Sequence, residues 1–146
     1  LIADIRASGA GTRLMSDGDV AGGIHAARHN ARTDMCIGVG GSPEGIVTAC
    51  AIKALGGHIQ GRMWPRDDAE RQRGIDAGLK MDYVYEADEL VKGNNTIFVA
   101  TGVTDGQLVS GVRRAGDWLY TESVVLRGAS GTLRRISSEH LTSKWL

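Results

Sequence analysis

Cysteine is scarce in this sequence. Cys36 and Cys50 are the only two; both lie inside apolar runs, and there is no CxxC. That argues against a disulfide framework or a structural zinc, and for a reducing, cytoplasmic setting. A surplus of charge is missing too. Lys plus Arg and Asp plus Glu each number 17, giving a net charge of +0, so nothing global draws the chain to nucleic acid or a membrane surface. No apolar run reaches the ~18 residues of a membrane span, and no signal peptide is visible. Aromatics are few, and no Pro/Ser-rich linker or internal repeat divides the chain. His25, His29, His58 and His140 lack metal-ligand spacing, and no Ser/His/Asp or Cys/His arrangement stands out. An initiator Met is also lacking. The chain opens on Leu1-Ile2-Ala3-Asp4-Ile5-Arg6-Ala7, a helical pattern already in progress. An α/β protein seldom starts on a helix with no strand before it, so the expectation is the C-terminal part of a longer protein.

What is abundant is glycine, 21 of 146 residues, about twice the usual ~7%. The glycines follow no G-X-Y period and fall mostly where strands meet helices, as in an α/β fold with tight loops. A chain of this length suits one domain with a real core. Hydrophobic periodicity predicts helices over 1–8, 20–28, 43–55, 67–78, 87–92 and 107–112. It predicts strands over 13–16, 34–39, 58–64, 83–85 and 96–100. The end of the chain reads as β: strands over 119–127 and 132–137, joined by Gly128-Ala129-Ser130-Gly131, a hairpin with a four-residue loop. The expected architecture is α/β, a mostly parallel sheet with a terminal β-hairpin.

The stretch that organises the chain is Gly38-Val39-Gly40-Gly41-Ser42-Pro43-Glu44-Gly45. An apolar run leads in and a helical pattern leads out. Gly40 and Gly41 allow positive φ and close approach of a ligand. Ser42 is expected as N-cap and Pro43 at the first helical position, with Glu44 in the first turn. Backbone N–H groups, a positive helix end and a carboxylate then meet at one point, which suits an anion, a metal ion, or both. An earlier turn, Asp17-Gly18-Asp19, stands at the start of another helix. In a mostly parallel sheet such loops share one edge, so Asp17, Asp19 and Glu44 are placed to converge. Oxygen-only carboxylates favour a hard cation such as Mg²⁺ or Mn²⁺. The structural alternative stands beside it: Asp19 as N-cap, Asp17 as a turn acceptor, and Glu44 serving only the helix dipole. Thr101-Gly102 and Thr104-Asp105-Gly106 either bind a phosphate or shape a turn. Arg62 and Arg66 either clamp a phosphate or lie solvated. Arg134 and Arg135 fall on opposite faces of a strand, and one of them is expected in a buried or interfacial pair.

Four motifs in order resemble the class II fructose-1,6-bisphosphatases of the GlpX type. They are Ser16-Asp17-Gly18-Asp19-Val20-Ala21, the Gly38–Gly45 stretch, Ala100-Thr101-Gly102-Val103-Thr104-Asp105-Gly106, and Thr121-Glu122-Ser123 with Leu126-Arg127-Gly128, Thr132 and Arg134. The resemblance covers nearly the whole chain and is strongest to the family's C-terminal part. It implies the layered fold of the lithium-sensitive sugar phosphatases (inositol monophosphatase/fructose-bisphosphatase-like). It implies Mg²⁺- or Mn²⁺-dependent hydrolysis of the 1-phosphate of fructose 1,6-bisphosphate to fructose 6-phosphate in gluconeogenesis. Sedoheptulose 1,7-bisphosphate enters as a second substrate, and a homo-oligomer, dimer or tetramer, is implied. Carried over by position, Asp17, Gly18, Asp19 and Gly41 match substrate contacts, and Glu44 matches a metal ligand. The family's other metal carboxylates and its catalytic Lys/Thr region lie upstream and have no counterpart in this sequence. The chain alone is therefore expected to be inactive. The alternatives are a non-catalytic sugar-phosphate-binding module or an oligomerisation module.

Overall fold

The β-patterned end of the chain builds the frame on which the rest packs. In the computed structural model, which describes residues 1–144, β5 (Trp118–Arg127) and β6 (Thr132–Leu141) form a hairpin closed by Gly128–Ser130 and Gly131. Its register runs unbroken from Trp118↔Leu141 to Arg127↔Thr132. The other edge of β5 is shared. β3 (Ile97–Thr101) pairs with Ser123 to Arg127, and β4 (Arg113–Ala115) pairs with Trp118 to Tyr120. All of these ladders are antiparallel, as is the separate pair β1 (Gln60–Arg62) and β2 (Val84–Glu86).

The expected mostly parallel sheet is therefore overturned among the described residues. Its intended members, 13–16 and 34–39, form no strand and join no ladder. Cys36 and Met15 are exposed, although their sulfurs lie close to where a Cβ on Gly22 would sit. Leu14, Met35, Ile37 and Val39 remain exposed. Every residue of both stretches is exposed, and a ladder also needs a neighbouring strand. The helix expected at 107–112 is likewise absent. That stretch is held as a loop by side chains from elsewhere, described below. β4 is an addition to the expected elements.

The helices follow the apolar periodicity more closely. They are α1 (Ile2–Ala7), α2 (Asp19–Ala27), α3 (Ser42–Ala54), α4 (Asp68–Asp76) and the short α5 (Ala87–Leu90). α2 and α3 lie against one face of the larger sheet. Ile24, Ala51 and Ala54 from the helices meet Phe98, Leu108, Val124 and Leu126 in one buried cluster. Val124 and Leu126 are two apart, so the pleat puts both on the helix side. The opposite face carries Ile97, Val99 and Ile136 and is exposed. Among the described residues, no helix is long and apolar enough to cross a membrane.

Residues 58–92 form a smaller lobe beside this core. α4 buries no residue, and its Arg71 pairs with Asp82 at 2.8 Å. Asp67 caps it, its Oδ1 accepting from the Glu70 N–H at 2.7 Å. Lys53 of α3 binds the lobe to the core. Its Nζ donates to the Val91 carbonyl at 2.8 Å and pairs with Asp88 at 2.6 Å.

Candidate functional site

The two glycine-bearing turns meet because two helices approach closely. At Gly23 of α2, a Cβ would lie only 2.6 Å from Thr48 Cγ2 of α3. Thr48 is buried, and its hydroxyl donates to the Glu44 carbonyl at 2.7 Å. This contact locks α3 against α2 one turn inside each N-terminus. The start of α2 then lies beside the loop that enters α3.

Gly18 makes the first turn possible. It caps α2 with φ +92, a left-handed conformation that other residues adopt only with strain. Its N–H donates to Asp17 Oδ1 at 2.7 Å, so the Asp17 side chain shapes its own turn. Asp19 is the first helical residue rather than the N-cap. In the second turn the cap is Gly41, one residue earlier than the expected Ser42, and Pro43 falls at the second helical position. Glu44 stands in the first turn, as read from sequence.

The glycines of this loop serve space, not backbone freedom. Gly41 has φ −68, and Gly40 is not among the residues with positive φ. A Cβ on Gly40 would instead run into the Asp19 carboxylate, and one on Gly41 into the Glu44 carboxylate. Two acids from two helix N-termini thus fold over one stretch of bare backbone. All of these groups are exposed.

The structure brings together Asp19, Gly40, Gly41 and Glu44, while Asp17 is engaged with Gly18. Their donors are carboxylate oxygens, the chemistry that suits a hard divalent cation. Among the described residues, however, no three His, Cys, Asp or Glu side chains are grouped to hold a metal ion. Asp19 and Glu44 fit as part of a coordination shell and fall short of a whole one.

The other candidates resolve differently. Arg66 is engaged by Glu70, its Nε donating at 3.1 Å, while Arg62 stacks on the exposed Trp64 ring at 5.5 Å. Asp105 accepts from the Gly111 N–H at 2.8 Å and so shapes the loop after β3. Arg135 is the arginine with the internal pair: its Nη1 donates to Glu122 Oε1 at 2.8 Å and to the Leu108 carbonyl at 3.0 Å. Glu122 Oε2 also accepts from the Ser110 N–H at 2.6 Å. Hydrogen bonds from Ser110, then the Arg135 guanidinium, hold the Glu122 carboxyl down at about 2. In the sequence Glu122 stands out only as part of a motif. The one available signal is that Glu122 and Arg135 lie on the same face of neighbouring strands.

Acids presented at helix N-termini beside glycine backbone have the chemistry that suits anions and hard cations. The comparison with known proteins narrows this class. Residues 1–140 match the family described as bacterial fructose-1,6-bisphosphatase, glpX-encoded, and the chain belongs to that family. A relative from Haemophilus influenzae, fructose-1,6-bisphosphatase class 2, is 38% identical over 96% of this chain and 46% of its own length. A relative from a Synechococcus species, D-fructose 1,6-bisphosphatase class 2/sedoheptulose 1,7-bisphosphatase, is 34% identical over 97% of this chain and 44% of its own. One of the same description from Gloeobacter violaceus is also 34% identical. The chain thus spans less than half the length of the curated relatives it matches.

Proposed function

We propose that this chain supplies one wall of the active site of a metal-dependent sugar bisphosphatase. The reaction is hydrolysis of the 1-phosphate of fructose 1,6-bisphosphate to fructose 6-phosphate and phosphate, in gluconeogenesis. Sedoheptulose 1,7-bisphosphate is a second substrate, in line with the descriptions of the Synechococcus and Gloeobacter relatives. The observation that carries the reading is the meeting of Asp19 and Glu44 over Gly40 and Gly41. In this reading Asp17, Gly18, Asp19 and Gly41 contact the substrate. The bare backbone admits a phosphate or sugar hydroxyl that a Cβ would exclude. Glu44 gives a carboxylate oxygen to Mn²⁺ or Mg²⁺. Such an ion, when bound, polarises a phosphoryl oxygen and acidifies a water.

The remaining ligands lie outside residues 1–146, which correspond to the C-terminal domain of the longer relatives and to one lobe of the layered sugar-phosphatase fold. The working protein is a cytoplasmic homo-oligomer. Taken by itself, the 146-residue chain binds sugar phosphates weakly and does not turn them over.

The test is Glu44→Gln in the full-length protein. Mn²⁺ affinity, measured by titration, should fall at least about tenfold, the scale of losses around metal ligands. Phosphate release should fall with it. Unchanged affinity would remove Glu44 from the metal. A full-length rate from the isolated chain would refute the division of the site.

A further inference from the structure

Each of the three oxygens of Glu122 serves the loop between β3 and β4. Its carbonyl accepts from the Gly102 N–H at 3.0 Å, where the loop begins. Its Oε2 accepts from the Ser110 N–H at 2.6 Å, near where the loop ends. Its Oε1 accepts from Arg135 Nη1 at 2.8 Å, and the same Nη1 donates to the Leu108 carbonyl at 3.0 Å. One residue pair on the hairpin thus grips both stems of the loop and its middle. The stems are in contact, since a Cβ on Gly102 would run into the Ser110 carbonyl. Three further bonds of the loop, from Gly106 to Val109, from Gly111 to Asp105 and from Val112 to Val103, close it on itself rather than onto the sheet.

What this grip holds in place is Leu108. Glu122 stands two residues before Val124 on β5, so the pleat puts it on the same face of the sheet as α2. Leu108 is buried there, in one cluster with Ile24 of α2. Val109 packs against that cluster, and so do Val20 and Ala21, the two residues after Asp19. The loop is therefore part of the seat on which the start of α2 rests. We propose that Glu122 and Arg135 are positioning residues for the candidate site: by fixing the loop they keep Leu108 in the cluster beneath α2, and so keep Asp19 over Gly40. This deepens the phosphatase reading and rests on it.

The chemistry of the pair suits a fixed grip. Bonds between a carboxylate and a guanidinium or a backbone N–H are charge-assisted, roughly twice as strong as neutral ones. Glu122 uses both carboxylate oxygens at once. A glutamine of the same shape offers one acceptor oxygen, and its NH₂ group would meet a donor. Glu122→Gln therefore releases either Ser110 or Arg135 while leaving the volume of the site unchanged. Glu44 stands on α3, whose Ala51 and Ala54 have their own places in the cluster, so its carboxylate is not carried by the loop.

Kinetics of the full-length protein with Mn²⁺ and fructose 1,6-bisphosphate test the proposal. Glu122→Gln should raise KM about fivefold, within the range of effects transmitted through packed contacts. Both kcat and Mn²⁺ affinity should stay within about twofold of the parent, the split that marks weakened substrate binding. A variant that is merely less well folded would lose active fraction, and so kcat, at constant KM. Arg135→Gln should behave alike, and the double variant should be no worse than the worse single, because the two side chains act as one unit. Amide exchange on the same proteins gives a readout apart from activity: residues 19–24 should exchange faster together with 102–112. An unchanged KM overturns the proposal, as do KM effects that add in the double variant or faster exchange confined to the loop. A parent protein that releases no phosphate would defeat the phosphatase reading instead, and exchange at 19–24 would still decide whether the loop holds α2.

Discussion

Gly23 and Thr48 should behave as one unit. A Cβ on Gly23 would sit 2.6 Å from Thr48 Cγ2 and 3.6 Å from Ile52 Cδ1. Carbon atoms pack at ~3.5–4.0 Å, so Gly23→Ala must push α2 and α3 apart by about 1 Å or turn Thr48. Thr48 resists turning, because it is buried and its hydroxyl is tied to the Glu44 carbonyl. Overpacking of this kind costs ~1–3 kcal/mol. Alanine regains ~1 kcal/mol over glycine inside a helix. The single variant should therefore be less stable by about 1 kcal/mol. Thr48→Ser removes the offending methyl and keeps the hydroxyl. Alone it should cost about 1 kcal/mol, the value of one buried methyl group. Together the two changes should cancel, returning stability to within about 0.5 kcal/mol of the parent, where independent effects would sum to ~2. Urea unfolding followed by far-ultraviolet circular dichroism measures all four corners of this cycle. Losses that simply add would refute the contact, and with it the account of how Asp19 comes to lie over Gly40.

Two further outcomes follow from the hydrogen-bond geometry. Glu122 has its carboxyl lowered from 4.5 to about 2 by Ser110 and Arg135. A depressed carboxyl stabilises the fold fully above its unfolded value and loses that contribution as pH falls through the folded one. The parent chain should therefore lose stability between pH 4.5 and 2, and Glu122→Gln should flatten that part of the profile. Equal slopes in urea midpoints for the two chains would contradict it. Asp67→Ala removes the side-chain cap of α4, worth ~1 kcal/mol. Because α4 buries nothing, the change should appear as faster amide exchange over 67–76 with the thermal midpoint unmoved; a drop in the global midpoint would count against a separate lobe.

Local features are legible in the sequence, and non-local ones are not. The hairpin loop at 128–131 is marked by glycines between two β-patterned runs. α3 is marked by Pro43 and Glu44 at its start. The apolar run at 34–39 suggests a strand, but the absence of a ladder is not visible, since pairing depends on a distant strand. Gln107 to Val112 carries a short helical pattern, yet Asp105, Glu122 and Arg135 hold it open as a loop. Only the folded chain brings those side chains there. β4 is hidden because Arg113-Arg114-Ala115 has little β preference of its own and is recruited by the end of β5. At the candidate site, the glycine loop and both acids stand out in the sequence, but the reason for Gly40 does not. What demands glycine there is a carboxylate from a helix that begins 21 positions earlier in the chain (Asp19 to Gly40).

Lys53 gives the chain two levels of cooperativity. The buried cluster from Ile24 to Leu126 contains no residue of 58–92, and the Lys53 ammonium ties α3 to that lobe through the Val91 carbonyl and Asp88. Unfolding is then not one event for the whole chain. The lobe can open and close as its own unit, at a lower free energy than the core. Proteases would meet the chain first between residues 58 and 92, while the turns bearing Asp19 and Glu44, whose helices α2 and α3 contribute to the core, would survive the cut.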